Sequence, residues 1–104
     1  MKTSPTVRSL QVMRDRGYLC EVVEHWNPHA RVRKDLFGFI DILCLSDDEV
    51  LGLQTTTKSN MPARIKKICD HENFAAVLRS GIKLVVHGWK KDKTGKWVVD
   101  EFVF

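Results

Sequence analysis

Phe37-Gly38-Phe39-Ile40-Asp41-Ile42-Leu43-Cys44-Leu45, followed after Ser46-Asp47-Asp48 by Glu49-Val50-Leu51-Gly52-Leu53-Gln54-Thr55-Thr56-Thr57, is the stretch on which the reading of this chain turns. Two β-favouring apolar runs joined by a tight polar segment predict an antiparallel hairpin with strands over residues 37–45 and 49–57. The first run carries one carboxylate, Asp41, flanked on both sides by Ile. An ionised carboxylate is costly to bury unless something pairs with it, and either a divalent cation or a nearby Arg or Lys would serve. Side chains alternate along a strand, so Gln54 and Thr56 point one way, and a suitable register brings Asp41 onto the same face. Three polar groups then converge at one end of a sheet. That grouping suggests an incomplete metal-dependent phosphodiesterase site, with Asp41 as a charged ligand and the Gln54 amide oxygen as a neutral one.

On either side of the hairpin the pattern continues. Ser4-Pro5 has the form of an N-cap with proline in the first turn, and Val7, Leu10 and Met13 recur at helical spacing until Gly17. Residues 18–26 read as a strand that Asn27-Pro28 interrupts, and residues 27–36 read as a charged loop. Ser59-Asn60 and Pro62 open a helix running through Ile65 and Ile68 to about Cys69, and a second helix runs from about Glu72 to Arg79 before Gly81. Two strands follow, over residues 82–89 and 97–104, joined by a charged turn with Thr94-Gly95 near its end. The order is helix, three strands, two helices, two strands. Without repeats or linkers it predicts one α/β domain over residues 1–104, a central mixed sheet of about five strands flanked by helices.

With 104 residues, 43% of them hydrophobic, the chain suits a single core without disulfide staples. Lys and Arg number 17 against 13 Asp and Glu, a formal charge of +4 that is compatible with a polyanionic partner such as nucleic acid. Cys20, Cys44 and Cys69 lack zinc-ligand spacing and read as free thiols of a reducing cytosol, two of them in the core. No stretch approaches the ~20 apolar residues of a membrane span and the N-terminus lacks a signal-peptide run, so a soluble intracellular protein is expected, with no membrane partner. Trp26, Trp89 and Trp97 at strand ends read as core fillers, with stacking on bases as the alternative. The four histidines share no motif, and His87 reads as a strand residue facing solvent or a partner.

An Asp within one strand, and a polar-x-polar triplet ending the next before a basic helix, resemble the PD-(D/E)XK nuclease superfamily. Within it the likeness is to archaeal-type Holliday junction resolvases and to small phage and prophage nuclease-like proteins. The residues that carry it are Arg33-Lys34-Asp35-Leu36-Phe37-Gly38-Phe39-Ile40-Asp41-Ile42-Leu43 and Leu51-Gly52-Leu53-Gln54-Thr55-Thr56. The resemblance implies a restriction-endonuclease-like domain using Mg²⁺ (or Mn²⁺) on DNA, including branched DNA and Holliday junctions. It also implies a homodimer in the cytoplasm of a bacterial or phage-infected cell. Asp41 matches the metal-binding Asp, Gln54 stands where the second acid would be, and Thr56 stands where the catalytic lysine would be.

Gln for Glu removes a charge, and Thr for Lys leaves a neutral hydroxyl that cannot offset phosphate charge. Lys58 shares the face of Thr56 if the strand continues and is the first candidate for a migrated lysine, with Lys34 the second. Members of the superfamily also use a Glu from the first helix, and residues 5–16 contain none, so Glu21, Glu24 or Asp35 would substitute. The expected site is therefore Asp41, Gln54, Thr56 and Lys58 as catalytic residues, with Asp41 and Gln54 on the metal. Arg31, Arg33, Lys34, Arg64 and Lys67 would contact nucleic acid. The alternative is a nuclease fold kept as a DNA- or protein-binding module after its site degraded.

Overall fold

Proline at the first helical turn needs no N–H partner, and the Ser4 hydroxyl accepts from the Val7 N–H at 3.2 Å, so helix α1 (Pro5–Asp15) begins where that cap places it. The computed structural model describes residues 4–104, so residues 1–3 of the expected domain lie outside the described residues. Strand β1 (Leu19–Val22) follows α1, and short strands β2 (His25–Asn27) and β3 (Val32–Lys34) come next. The hairpin strands are β4 (Ile42–Leu45) and β5 (Val50–Thr57). A 3₁₀ turn at Lys58–Asn60 leads into α2 (Met61–Cys69) and α3 (Phe74–Arg79), after which β6 (Lys83–Lys91) and β7 (Trp97–Val103) complete the chain.

Five strands form one mixed sheet in the order β1-β4-β5-β6-β7, with β5 and β6 parallel and every other neighbour antiparallel. The parallel pair requires a crossover, and α2 and α3 supply it. Ser46 Oγ caps the hairpin turn by accepting from the Asp48 and Glu49 N–H groups at 3.3 and 3.2 Å. Each face of the sheet has its own apolar layer. One packs Met13 of α1 with Cys20, Ile42, Cys44, Leu51, Leu53 and Val85, and the other packs Met61, Ile68 and Val77 with Phe39, Ile40, Leu84 and Val86. The central strands β5 and β6 are buried along most of their length because helices cover both of their sides.

Several sequence expectations change here. The strand expected over residues 18–26 is two strands, broken at Val23-Glu24, and the expected loop over residues 27–36 contains β3, which pairs with β2 as a separate two-stranded ribbon. Nor does the strand expected from Phe37 start there: Phe37 and Gly38 have φ of 57° and 95°, and the ladder begins at Ile42. The β5 strand does not carry Lys58 onto the face of Thr56, because the chain turns into 3₁₀ geometry at that residue.

His87 is fully buried rather than solvent-facing. Its Nδ1 lies 2.9 Å from Ser9 Oγ and its Nε2 lies 3.0 Å from Glu101 Oε2, so a polar chain links α1 to β6 and β7. Of the three Trp, only Trp89 fills core, while Trp26 and Trp97 are 57% and 39% exposed. Cys20 and Cys44 are buried free thiols, and Cys69 is exposed. Among the described residues no helix is long and apolar enough to cross a membrane.

Candidate metal centre

The hairpin ladder ends with Ile42 opposite Leu53, and one step beyond it the Asp41 side chain meets Gln54 and Thr55. Backbone bonds hold Asp41 on both sides, since its N–H donates to Leu53 O and its carbonyl accepts from the Val23 N–H, each at 2.8 Å. The carboxylate is 3% exposed. Its Oδ2 accepts from Gln54 Nε2 at 2.7 Å, from the Thr55 N–H at 2.9 Å and from Thr55 Oγ1 at 3.3 Å. Thr55 Oγ1 also lies 3.0 Å from Thr6 Oγ1, which ties the start of α1 to the site.

Two further carboxylates converge on Asp41. Ligand oxygens of Glu24, Asp35 and Asp41 all lie within 4.8 Å of one another. Two local structures bring them together. In the ribbon, His25 pairs with Lys34, so Glu24 and Asp35 flank its base. In the loop, a bridge between Leu36 and Ile40 closes a tight turn whose left-handed residues, Phe37 and Gly38, return the chain to Asp41. Gly38 is required there, because a Cβ would sit 2.3 Å from His71 Nε2.

Burial pushes the Asp41 carboxyl up to about 8, and the neighbouring Asp35 and Glu24 carboxyls push the same way, against the Thr55 N–H bond that favours the ionised form. Three acids held this close, one of them deprived of water, make a hard-oxygen donor set short of positive charge. A divalent cation with oxygen preference fits that deficit, whereas the softer nitrogen and sulfur ligands of zinc sites are absent from the cluster.

A cleft of about 460 Å³ opens over the acids. Its walls include Gln54, Thr56, Arg33, Arg64 and Lys67 together with Glu24, Asp35 and Asp41. Arg33 Nη1 reaches Glu24 Oε1 at 3.2 Å, and Arg64 and Lys67 project from one face of α2, three residues apart. The other sequence candidates lie elsewhere. Lys58 pairs with Asp100 and lines a separate hollow with Pro62, Ile65 and Phe102. Lys34 stands exposed on the ribbon opposite His25, and exposed Arg31 has a φ of 53° at its turn. Glu21 is exposed opposite Leu43 on β1, outside the acidic group.

Glu24 and Asp35, expected only as substitutes for an absent helix acid, are thus the two residues whose ligand oxygens gather within 4.8 Å of that of Asp41. Thr55 is not among the sequence candidates, because strand alternation predicts its side chain on the face opposite Gln54 and no residue pattern reveals a contact made by its backbone N–H; in the structure both side chains reach Asp41 Oδ2. Comparison with family models, with curated proteins and with solved structures returns no match for this chain.

Proposed function

We propose that this chain is a Mg²⁺- or Mn²⁺-dependent DNA endonuclease-like protein whose site is the cleft over Glu24, Asp35 and Asp41. One observation carries the reading: three carboxylates with ligand oxygens within 4.8 Å share a cleft with Arg33, Arg64 and Lys67. Acids that hold a divalent ion beside cations that hold phosphate are the two requirements of metal-assisted phosphodiester hydrolysis. When bound, the ion supplies Lewis acidity toward a phosphoryl oxygen and lowers the pKa of a water.

Glu24, Asp35 and Asp41 would hold the ion, and the Gln54 and Thr55 donors orient the Asp41 carboxylate from behind. In this arrangement the Gln54 nitrogen faces Asp41, so the amide acts as a positioning group rather than as the ligand its sequence position suggests. The Thr56 hydroxyl, at the cleft wall, orients water. Arg64 and Lys67 offset charge on the phosphate, the task first assigned to Lys58. Preference for branched DNA and Holliday junctions, action as a homodimer and a cytoplasmic location belong to the proposal on the PD-(D/E)XK resemblance alone.

Thr56 in the place of a lysine favours a second reading, a nuclease fold kept as a DNA- or protein-binding module. Labelled four-way junction, flap and duplex DNA incubated with Mg²⁺ or Mn²⁺ separates the two. The nuclease reading expects cleavage by wild type and none by Asp41→Ala. Salt-sensitive DNA binding without cleavage in either ion leaves the module, and cleavage that survives Asp41→Ala removes the site.

A further inference from the structure

The ribbon of β2 and β3 is rooted in the acidic cluster. Its first rung is His25 with Lys34, its second Trp26 with Arg33, and its third Asn27 with Val32. Glu24 and Asp35 are the residues one step inside the first rung. Side chains alternate faces with each rung, so Trp26 and Arg33 share the face of Glu24 and Asp35, about 7 Å further out along the strands. The Arg33 to Glu24 ion pair at 3.2 Å spans that interval and confirms the shared face.

This segment is a built hairpin. Asn27 Oδ1 accepts from the His29 and Ala30 N–H groups at 3.0 and 3.2 Å, and Arg31 takes the left-handed conformation that completes the turn. From His25 to Lys34 it carries Arg31, Arg33 and Lys34 and no acid. Its Trp26 is 57% exposed although a Trp side chain has more apolar area to hide than any other. Nothing in the fold of the sheet requires an indole there.

We infer that the ribbon is a nucleic-acid clamp in which Trp26 stacks on an unstacked base of the bound strand while Arg33 holds its phosphate. The inference rests on the nuclease-like reading of the cleft and adds the substrate class: DNA with a single-stranded or splayed segment beside the scissile phosphate. The spacing supports it, since one extended nucleotide spans the interval between the acid rung and the Trp26 rung. The charge supports it too, because Arg33 lines the same cleft as Arg64 and Lys67. A π-face offers stacking to any base, so the clamp selects for strand state rather than sequence.

The test is a fluorescence-anisotropy titration of the full chain with a labelled single strand and with its duplex, in Ca²⁺ buffer at several salt concentrations. Trp26→Ala should weaken single-strand binding about ten-fold or more, affect duplex far less, and leave the salt slope unchanged because no phosphate contact is lost. Trp26→Phe should keep most of the affinity, and Arg33→Ala should reduce the salt slope by about 1. In wild type, saturating single strand should quench indole emission, a readout that does not depend on how any variant folds. Single-strand affinity unchanged in Trp26→Ala, or emission unquenched in wild type, overturns the clamp while leaving the cleft reading in place. Wild type with no salt-dependent affinity for either DNA overturns the cleft reading and the clamp together.

Discussion

Replacing Asp41 by Asn should stabilise the metal-free protein and abolish its response to divalent ions. The carboxyl is 3% exposed, and burial, reinforced by Asp35 and Glu24, raises it from 3.8 to about 8. The unfolded chain ionises near 3.8 whereas the folded chain retains the proton to about 8, so the stability linked to this group is complete below pH 3.8 and is lost as pH rises through that window. At neutral pH the folded state suppresses about three pH units of ionisation at about 1.36 kcal/mol each, or about 4 kcal/mol. Asn cannot ionise, and its oxygen still accepts from the Thr55 N–H. The expected gain at neutral pH is about 2–4 kcal/mol, vanishing near about pH 4 and levelling off above about pH 8. Urea unfolding of both proteins in EDTA across that range measures the gap directly. Adding Mn²⁺ at about 100 times its Kd should then stabilise wild type by about 2.7 kcal/mol and the variant hardly at all. A variant less stable than wild type at neutral pH, a gap that does not change with pH, or an equal gain from Mn²⁺ in both proteins would refute the reasoning.

Other perturbations separate the parts of the molecule. In Ser9→Ala, Trp89 Nε1, which donates to Ser9 Oγ at 2.8 Å, and His87 Nδ1 both lose a buried partner, so urea melts should show a loss of about 1–3 kcal/mol with Mn²⁺ affinity unchanged. Burial holds His87 below its usual 6.5 despite the Glu101 contact, so stability from the neutral ring is present above that pH and falls as the solution is acidified; the corresponding slope should shrink in His87→Gln. Gly38→Ala places a methyl against His71 at a φ of 95° and should cost about 2 kcal/mol or more, with Mn²⁺ binding lost in calorimetry because the turn no longer returns Asp41 to Asp35. Lys58→Ala removes an exposed pair with Asp100 and should leave the urea midpoint and the DNA affinity nearly unchanged, whereas Lys67→Ala should lower that affinity and reduce the salt slope by about 1.

Patterns that repeat within one element were legible from residues alone. The Ser4-Pro5 cap, the spacing of Val7, Leu10 and Met13, the hairpin turn at Ser46 and the crossover helices follow from local backbone chemistry, and α1, β5, α2, α3, β6 and β7 lie close to where that chemistry predicts them, whereas β4 begins at Ile42 instead of Phe37. Asp41 and Gln54 on neighbouring positions of a hairpin were legible for the same reason, because antiparallel register and alternation are short-range rules. The ribbon was not. Three short rungs, with Trp26 and Val32 as their apolar members, carry no periodic signal, and β2 forms only because β3 folds back onto it.

The sequence by itself determined which chemistry was available: an acid inside an apolar strand, a neutral triplet beside it, and basic residues before and after. Only the tertiary structure decided which of those residues meet. Glu24 and Asp35 lie 11 positions apart and reach Asp41 through a ribbon and a left-handed turn, and Lys58 leaves the cleft because the chain turns into 3₁₀ geometry at Lys58–Asn60. Such meetings depend on long-range pairing and on backbone conformations that residue type permits without requiring, which is why the second and third acids emerge from the fold while the first could be read from the chain.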